Sequence, residues 1–491
     1  MTLATEERMN HNDEPVADLR RWLGEAAQAG ELQTVQDAHW DLEIGALSQV
    51  NYRRSNPKAL LFDSIKDYQP GFRVLSGSVS NPRLLGSALG LGWQCTDESL
   101  LAELAVRPGE WARRAGEFAP VTVPDGPLLE NVISKPEVNL LGFPVPKWHE
   151  GDGGRYIGTG CAVVTRDYDT GRINLGAYRM QVQDDGRCAS VNIEAGKHGA
   201  QQLRRWFEAE GRAPIAASLG QHPAYLVAAG VEVPGDVSEY GYVGAMFGTP
   251  VRTVAGLATG LPLPHDAELA VEGWVRPDNT RPEGPFGEWT GYYSGSRDPI
   301  LTIDVEKVYH RGDPILLGAP PGKPPHDYSY MRTVMKSAII TDSLRGFGLP
   351  GLRGVWAHEA GGGRSLLIVS IEQRYPGHAR QAAYLAAQAP SAAYMNRLTV
   401  VVDSDVNPRD LGEVMWAICG RCDPGSDIEV MRRTWGSRVD PLTLPGALAF
   451  NSRAVIDACR PFERLADFPA VAESSEELVA SVSRRWPEVA G

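Results

Sequence analysis

The sequence predicts an α/β protein of two or three domains with a barrel-like sheet at its centre. Its 491 residues are too many for a single hydrophobic core. Between residues 120 and 311, short strand-like segments alternate with glycine- and proline-rich turns, which favours a curled sheet. Beyond residue 330, helical and strand-like segments alternate, which is typical of a partly parallel sheet.

Residues 1–118 are predicted to form an N-terminal α/β region. An amphipathic pattern over residues 17–29 predicts a surface helix that ends at Gly30. Two short apolar runs predict strands, and a helical pair is expected to follow them up to about residue 116. The two runs are Leu60-Leu61-Phe62 and Phe72-Arg73-Val74-Leu75.

Residues 119–312 are predicted to form the central domain, and residues 313–329 a linker, because glycine and proline are dense in the linker segment. The strand-like segments of the central domain cover residues 162–165, 173–182, 214–218, 268–275 and 301–309. The sheet that they form is the barrel-like one, and every candidate catalytic and metal-binding residue lies in this domain.

Residues 330–465 are predicted to form a C-terminal α/β domain, and residues 466–491 a helical arm. The elements of the domain are expected at residues 330–345, 366–372, 377–388, 398–403 and 409–419. The arm carries an amphipathic helical pattern over residues 474–486 that has no obvious partner elsewhere in the sequence.

Composition excludes several classes of protein. Hydrophobic residues make up 43% of the chain and charged residues 22%, as in ordinary folded proteins. The formal net charge of -13 disfavours nucleic acid as a partner, because phosphate binding needs clustered Lys and Arg. No apolar run approaches the ~18 residues needed to span a bilayer, and the first 16 residues are polar and acidic, unlike a signal peptide. A cytoplasmic protein without a membrane partner is expected.

Three motifs are interpreted as structural. The six cysteines are scattered, and the C-x-x-C pair Cys419 and Cys422 ends a helical run, whereas redox pairs begin one. The segment 346–351 fits G-x-G-x-x-G but follows a helix and contains a proline, so a loop is expected. The glycines of segment 361–363 precede a strand and predict a hairpin turn.

The segment 281–288, Arg-Pro-Glu-Gly-Pro-Phe-Gly-Glu, is the first candidate for chemistry. Its acids, Glu283 and Glu288, are joined by a turn that cannot continue a helix or a central strand. Such a turn can aim both acids into one cavity, where a buried pair has its two pKa values pushed apart. That arrangement suits acid/base catalysis, although the segment alone fits a solvated turn equally well.

Asn174 and Arg179 lie in what is predicted to be the second strand of a hairpin, residues 174–182. Their separation of five residues places them on opposite faces of a regular strand. Both can serve one site only if a bulge or a strand end intervenes near Gly176.

His198 and Glu239 complete the set of candidate residues. His198 lies in a Gly-Lys-His-Gly segment just before a helical run that begins near Gln201. Glu239 precedes a segment of small residues, 241–248, which is expected to be a loop. Each of these segments alone is a weak signal.

Together, with their spacings, these residues resemble the UbiD family of prenylated-flavin-dependent decarboxylases, from about residue 15 to about residue 465. The family has an Asn, a His and a Glu that match Asn174, His198 and Glu239. It also has an Arg five residues after that Asn and two Glu in a P-E-G-P-F-G-E motif, which match Arg179, Glu283 and Glu288. Further similarity lies in segments 148–157, 267–273, 313–316 and 320–326.

The resemblance implies that Asn174, His198 and Glu239 hold Mn²⁺, or Mg²⁺, and thereby bind the phosphate of prenylated FMN, with K⁺ as a further candidate cofactor. Two departures concern this part of the site. Lys197 stands where relatives often have Gln, and Ser404 stands where many have a third Asp. The contacts to the cofactor phosphate are therefore less firmly implied than the trio of Arg179, Glu283 and Glu288.

The resemblance also implies a split-β-barrel domain that binds the flavin and a C-terminal domain that mediates oligomer formation. The terminal helix would then reach a neighbouring subunit, which gives a homodimer or a larger homo-oligomer. A flavin prenyltransferase is implied as the supplier of the cofactor.

Physical chemistry agrees with these assignments. An amide oxygen, an imidazole and a carboxylate suit manganese or magnesium better than zinc, whose structural sites favour Cys and His. A dianionic phosphate on a chain of charge -13 needs a local cation. Arg179 can pair through two hydrogen bonds with a carboxylate, either that of the substrate or that of Glu283.

The predicted function is reversible, non-oxidative decarboxylation of an α,β-unsaturated or heteroaromatic carboxylic acid. Loss of carbon dioxide from an sp² carbon leaves a localised carbanion, so an electron-accepting cofactor is needed. As the family implies, Glu283 protonates the carbon of a covalent prenylated-FMN adduct, while Arg179 and Glu288 hold and tune Glu283. The alternatives are a hydroxybenzoate decarboxylase, a metal-dependent hydrolase and a non-catalytic flavin-binding or scaffold protein.

The substrate pocket is expected to be aromatic and largely apolar. Trp289 follows the second motif acid, Tyr292 and Tyr293 come soon after, and His326 lies in the predicted linker. Such a wall favours a cinnamic-like or polyketide-derived acid, or a flat heteroaromatic acid. His326 could hydrogen-bond a ring N–H or O–H group, or could face water.

Overall fold

The computed structural model describes residues 17–183, 186–231, 233, 236–294, 298–444 and 446–490. Over these residues the chain forms an N-terminal sheet, a large central sheet and a C-terminal sheet, with helices packed around them. The α/β fold class that the sequence predicts is confirmed.

The N-terminal region packs helices against a small sheet. Helix α1 begins after Asp18, whose carboxylate accepts a hydrogen bond from the Arg21 backbone N–H at 2.8 Å, and it buries Leu19, Trp22 and Leu23. Three helices follow the last of the strands here, where the sequence predicts two. The elements are α1 (Leu19–Gln28), β1 (Leu32–Gln36), α2 (Glu43–Tyr52), β2 (Ala59–Asp63), β3 (Arg73–Ser76), α3 (Pro82–Ala88), α4 (Asp97–Leu104) and α5 (Arg107–Arg114).

The central region supplies most of the strands. They are β4 (Val121–Val123), β5 (Asn131–Ser134), β6 (Tyr156–Gly158), β7 (Ala162–Arg166), β8 (Ile173–Gly176), β9 (Met180–Val182), β10 (Cys188–Val191), β11 (Ala213–Ser218), β12 (Arg252–Ala255), β13 (Pro262–Pro264), β14 (Leu269–Val275), β15 (Thr280–Glu283), β16 (Phe286–Gly287), β17 (Tyr293–Ser294), β18 (Asp298–His310) and β19 (Ile315–Leu317). The helices are α6 (His198–Glu210), α7 (Pro223–Gly230) and α8 (Glu239–Phe247).

The large sheet has the strand order β6-β9-β10-β18-β14-β11-β7-β8, and β5 and β15 also pair with β18. The long strand β18 therefore joins most of the sheet. A register shift between Glu272 and Gly273 bends β14 against it, and a side chain on Gly273 would lie 2.0 Å from the Asp304 carbonyl oxygen. This curvature gives the half-barrel.

The hairpin strand predicted over residues 174–182 is divided into β8 and β9. β8 ends at Gly176, where a Cβ atom would lie 2.2 Å from the ring of Tyr178. β8 pairs with β7, whereas β9 pairs with β6 and β10. The condition set by the sequence, a strand end near Gly176, is met.

Two further segments differ from expectation. The predicted loop 241–248 belongs largely to α8, because Gly241 and Gly244 pack closely against the 3₁₀ turn Ala115–Phe118. The predicted linker 313–329 contains β19, which pairs in parallel with β3 of the N-terminal sheet. Tertiary packing decides both cases.

The C-terminal domain has the predicted partly parallel sheet. β21, β22 and β24 are parallel neighbours, and β20 and β23 are antiparallel edge strands. The elements are α9 (Asp327–Gly346), β20 (Leu352–Ala357), β21 (Leu366–Ile371), α10 (His378–Gln388), α11 (Pro390–Ala393), β22 (Leu398–Asp403), α12 (Leu411–Arg421), β23 (Ile428–Trp435), β24 (Phe450–Ala458), α13 (Glu476–Arg485) and α14 (Pro487–Ala490).

The motifs that the sequence favours as structural are confirmed as such. Segment 346–351 ends α9, and segment 361–363 lies in the turn between the antiparallel strands β20 and β21. Cys419 and Cys422 lie at the end of α12, and both are free thiols. Among the described helices, none is both long and apolar enough to cross a membrane.

A buried ion network ties the N-terminal region to the half-barrel. Glu268, which is fully buried, accepts two hydrogen bonds from Arg20 of α1, each at 2.8 Å, and one from Arg311 at 3.2 Å. One hydrophobic core runs from α1 through α7 and α8 to α9, and a second fills the half-barrel. The regions therefore pack against one another around the sheet that carries the candidate site.

Candidate functional site

Arg179 holds both motif acids. Its Nε and Nη2 atoms donate to the two carboxylate oxygens of Glu283, each at 2.9 Å, and its Nη1 atom donates to Glu288. Ser294 donates a further hydrogen bond to Glu288 at 2.7 Å. The side chains of Glu283, Glu288 and Arg179 are 2%, 12% and 15% exposed, so the alternative of a solvated turn is wrong.

Glycines allow the motif turn to lie against the half-barrel. Gly284 has a φ of 92°, a conformation that favours glycine. A Cβ atom on Gly153 would lie 2.0 Å from the Gly284 carbonyl oxygen, and the Gly153 N–H donates to the Pro285 carbonyl at 2.7 Å. The Gly284 N–H donates to the Gln181 side chain at 3.1 Å. These contacts fix the direction of both acids.

Two side chains that are not among the predicted site residues also contact Glu283. The Tyr156 hydroxyl donates to one carboxylate oxygen at 2.8 Å, and the Asn192 amide donates to the other at 3.1 Å. Tyr156 is part of the segment 148–157 that carries the family resemblance, which is a usable signal. Asn192 has no such signal in the sequence. It reaches the site because its backbone N–H donates to the Arg179 carbonyl at the ends of the paired strands β9 and β10.

Burial dominates the electrostatics of the trio. Burial raises the pKa of the Glu288 carboxyl, the nearby Arg179 guanidinium opposes this, and the carboxylates of Glu194 and Glu283 add to it. Burial lowers the pKa of Arg179, but the two acids outweigh burial and raise it overall. The guanidinium of Arg179 therefore stays charged between the two acids.

The three predicted metal ligands lie on neighbouring elements. Asn174 is in β8, His198 begins α6 and Glu239 begins α8. The Glu239 carboxylate accepts a hydrogen bond from the backbone N–H of Leu175, the residue after Asn174, at 3.1 Å. The ring of Tyr178 lies beside this set, because it approaches Gly199, the residue after His198. Burial raises the pKa of the Tyr178 hydroxyl, and a hydrogen bond with the Asn174 side chain opposes this.

The donor set fits a hard divalent cation. Burial raises the pKa of Glu239 to about 7, so a bound cation would restore its ionised form. The Asn174 amide donates from Nδ2 to Thr165 at 3.3 Å, which leaves its oxygen as a potential ligand. Within the described residues, no group of three or more His, Cys, Asp or Glu side chains is placed to hold a metal. The predicted set is of a different kind, because one of its members is an amide.

Buried polar atoms at the same edge of the sheet fit a flavin. The hydroxyl of Ser218, the last residue of β11, and the carbonyl oxygen of Gln221, just after β11, are buried without hydrogen-bond partners. Ser218 pairs in register with Ala162, and the neighbouring Cys161 donates to the Tyr178 carbonyl at 3.1 Å. The 218–221 turn therefore adjoins the segment that leads from the metal set to Arg179.

A cavity of about 180 Å³ opens beside the motif, and it carries more polar groups than the sequence predicts. Tyr52 of α2, His149 and His326 each have a buried polar atom without a hydrogen-bond partner, and both ring nitrogens of His326 are in this state. The Nδ1 atom of His149 lies 3.7 Å from the Asp152 carboxylate. Burial, with smaller effects of Arg332 and His149, lowers the pKa of His326 to about 3, so its ring is neutral. The lining also includes Gly45, Gln49, Gly287, Gly291, Tyr292, Tyr293, Pro320, Gly322, Lys323 and Pro325.

Of the four residues predicted for the pocket wall, Tyr292, Tyr293 and His326 line this cavity and Trp289 does not. His326 is 3% exposed, so it does not face water. Trp289 is absent from the lining, and the guanidinium groups of Arg332 and Arg364 each lie 5.8 Å from the centroid of its ring. Trp289 therefore anchors the motif to the C-terminal domain.

Comparison with protein families gives a match over most of the chain. Residues 120–324 match the 3-octaprenyl-4-hydroxybenzoate carboxy-lyase Rift-related domain of UbiD. Residues 23–107 match the N-terminal domain of the same carboxy-lyase, and residues 329–458 match its C-terminal domain.

Two relatives have named activities. The chain is 32% identical to a pyrrole-2-carboxylic acid decarboxylase of Pseudomonas aeruginosa, over 84% of each protein. It is 31% identical to a phenolic acid decarboxylase of a Streptomyces species, over 90% of this chain and 92% of the relative.

Among solved structures, the chain is similar to the UbiD-class enzyme HmfF of Pelotomaculum thermopropionicum in complex with FMN. The TM-score is 0.81 at 26% identity, over 94% of this chain and 99% of that one. An evolved dimeric form of the same enzyme, in complex with prenylated FMN, gives a TM-score of 0.78.

Replacing Arg179 with Ala is predicted to lower the free energy of unfolding by about 3–5 kcal/mol near neutral pH, because two buried carboxylates lose their cation. Without Arg179, the already raised pKa of Glu288 in the folded protein rises further. The loss of unfolding free energy should therefore be full at pH values above this pKa. It should shrink as the pH falls and the acids are protonated. Chemical denaturation of both proteins between pH 5 and pH 8 measures this.

The matched control is Arg205→Ala, which removes an exposed arginine paired with Asp169. A loss below about 1 kcal/mol is expected there. An Arg179→Ala deficit as small as that of the control, or independent of pH, would contradict the description of the trio.

Proposed function

The chain belongs to the UbiD family and is a carboxy-lyase, and from this premise we propose that it decarboxylates an α,β-unsaturated or heteroaromatic carboxylic acid with prenylated FMN. The observation that carries the proposal is the buried fork in which Arg179 holds Glu283 and Glu288 together. The fork argues against a non-catalytic scaffold protein, which would have no use for it. Membership of a carboxy-lyase family argues against a metal-dependent hydrolase.

Prenylated FMN would supply an electron-accepting centre that bonds to the unsaturated carbon of the substrate and takes up the electrons released with carbon dioxide. Arg179, which stays charged, fixes the direction of Glu283 and can attract a substrate carboxylate. Glu283 is proposed to deliver the proton to the carbon that loses the carboxylate. Tyr156 and Asn192 keep Glu283 in place, and Glu288 balances the charge of Arg179.

Asn174, His198 and Glu239 are proposed to bind Mn²⁺, or Mg²⁺, which in turn holds the cofactor phosphate. Support comes from the buried carboxylate of Glu239 and from the hard oxygen and nitrogen donors of the set. The Ser218 hydroxyl and the Gln221 carbonyl oxygen, which lack hydrogen-bond partners, are proposed to contact the flavin. K⁺ stays a further candidate for the phosphate end of the site.

The proposed partners are a flavin prenyltransferase, which would supply the cofactor, and a second copy of the chain. The dimer proposal rests on α13, whose apolar residues Leu478, Val479 and Val482 are exposed on an amphipathic helix. The relative in its evolved dimeric form is consistent with this proposal.

Glu283→Gln, prepared with a co-expressed flavin prenyltransferase, is predicted to retain the cofactor and lose at least about 100-fold in decarboxylation rate. The amide keeps the shape of the acid but carries no transferable proton. Deuterium incorporation into the product in D₂O should fall in parallel. Glu306→Gln, on β18 of the same sheet, is the matched control. Proton exchange at the wild-type rate in Glu283→Gln would remove Glu283 from this role.

Glu239→Ala is predicted to lose both Mn²⁺ and flavin on desalting, because the metal links the phosphate to the protein. Metal analysis and the flavin absorbance of the purified variant measure the two losses. Glu208→Ala, which removes an exposed acid of α6, should retain both. Flavin retained at the wild-type level without metal would show that the metal assignment is wrong.

Within the proposed substrate class, the cavity favours a heteroaromatic acid with a ring N–H group, and hydroxybenzoates are the second candidate. The observation is the set of buried, unpartnered polar atoms on Tyr52, His149 and His326. A purely apolar substrate would leave them unsatisfied, at a cost of about 1–3 kcal/mol each. The two relatives with named activities act on a pyrrole acid and on phenolic acids, which agrees with this choice.

Tyr52→Phe is predicted to lower kcat/KM about tenfold for pyrrole-2-carboxylic or 4-hydroxybenzoic acid, since one lost hydrogen bond is of that size. Turnover of cinnamic acid should be unchanged or higher. Tyr375→Phe, which removes a hydroxyl in the C-terminal domain, is the control. If the wild type turns over cinnamic acid best and Tyr52→Phe affects no acid, the polar-pocket proposal is wrong and the pocket is apolar in function.

A further inference from the structure

The segment from Asn192 to His198 joins the candidate site to the C-terminal domain. At one end, Asn192 donates to Glu283 at 3.1 Å. At the other, His198 begins α6. Between them, the Glu194 carboxylate accepts hydrogen bonds from two C-terminal side chains, Tyr394 at 3.3 Å and Ser437 at 3.1 Å. The two hydrogen bonds join residues that are 200 and 243 positions apart in the chain.

The C-terminal side of this contact is firmly held. The Tyr394 ring packs edge-on against Trp435 with centroids 5.2 Å apart. The charged groups of Arg364 and Lys197 lie 5.1 Å and 5.4 Å from the Tyr394 ring centroid. Ser437 is buried, and its carbonyl accepts a hydrogen bond from Thr443 at 3.0 Å. Both donors to Glu194 therefore have little freedom to follow it if it moves.

Glu194 also acts on the trio through its charge. After burial itself, which is the largest cause, the carboxylates of Glu194 and Glu283 raise the pKa of Glu288, against the effect of Arg179. Glu194 thus accepts hydrogen bonds from the C-terminal domain, and its negative charge acts on Glu288 of the acid pair. No other described role in the fold accounts for both.

We propose that Glu194 is a positioning residue for decarboxylation, which fastens the C-terminal domain to the 192–198 segment and thereby holds Asn192 against Glu283. The inference rests on the proposed function in that Glu283 is the proton donor. It adds that the Glu194 carboxylate links the position of the C-terminal domain to Asn192, and through Asn192 to the donor. A merely structural contact would affect stability and leave the chemistry unchanged.

The test compares three changes in cofactor-loaded enzyme. Glu194→Ala removes the acceptor, Tyr394→Phe with Ser437→Ala removes both donors, and Glu98→Gln is the matched control. Glu98 accepts a hydrogen bond from Arg409 and so also links α4 to the C-terminal domain, far from the trio in the fold. The first two changes should each lower kcat about tenfold with KM little changed, as expected for losing two modest hydrogen bonds. Combining them should cost little more, and Glu194→Gln should recover part of the loss.

The pH profile separates charge from contact. The groups that act on Glu288 are Arg179, Glu283, Ser294 and Glu194. Glu194 itself is hydrogen-bonded by Tyr394 and Ser437. The charged groups of Lys197 and Arg364 lie against the Tyr394 ring. Removing the negative charge of Glu194 lowers the pKa of Glu288, so the acid limb of kcat should move to lower pH in Glu194→Ala. The donor variant keeps the charge and should leave that limb in place.

Hydrogen–deuterium exchange on the enzyme without cofactor gives a readout that does not depend on turnover. Backbone exchange of residues 192–198 should be faster in Glu194→Ala and in the donor variant, and unchanged in Glu98→Gln. Wild-type kcat and wild-type exchange in both variants would overturn the proposal, and so would fully additive losses. A wild-type enzyme without decarboxylase activity would overturn the proposed function, while the exchange experiment would still decide whether Glu194 fastens the segment.

Discussion

The pairing of Arg179 with two buried acids is the interaction on which the rest of the site depends. Carboxylates as buried as Glu283 and Glu288 are costly without a cation, and a guanidinium can bond to both at once. To reach both acids, Arg179 must leave the strand direction of β8. Gly176 allows this, because its missing Cβ gives room for the Tyr178 ring and the strand ends there. The break in the hairpin is therefore a requirement of the ion network.

The same break brings two kinds of chemistry together. Asn174, before the break, lies with Glu239 at the start of α8, whereas Arg179, after it, lies with Glu283. Tyr178 fills the space between the two groups and contacts Gly199, the residue after His198. In a continuous strand the two groups would face opposite sides of the sheet. One local departure from strand geometry thus makes a single site out of two sets of residues.

Sequence reasoning succeeded where the signal is local and failed where contacts are distant. The period of apolar residues predicts α1 and the alternating elements of the C-terminal domain. The resemblance to the UbiD family, carried by short motifs, groups Arg179 with Glu283 and Glu288. The α8 segment was expected to be a loop because its glycines disfavour helices, yet Gly241 and Gly244 are the residues that let it pack. Tyr156 and Asn192 reach Glu283 from 127 and 91 positions away, which no local pattern encodes. The aromatic composition around Trp289 predicted an apolar wall, whereas the polar groups of the cavity come from α2 and from His326.

The acid pair is held from two directions at once. Tyr156, Gln181 and Gly153 fix the motif turn on the half-barrel side. Immediately after Glu288, the ring centroid of Trp289 lies 5.8 Å from the guanidinium groups of both Arg332 and Arg364, and a Cβ atom on Gly362 would lie 2.6 Å from the ring. Trp289 therefore joins the end of the motif to the C-terminal domain. Because Glu288 shares Arg179 with Glu283, the contacts of the C-terminal domain and those of the half-barrel meet at one guanidinium, next to the proposed proton donor.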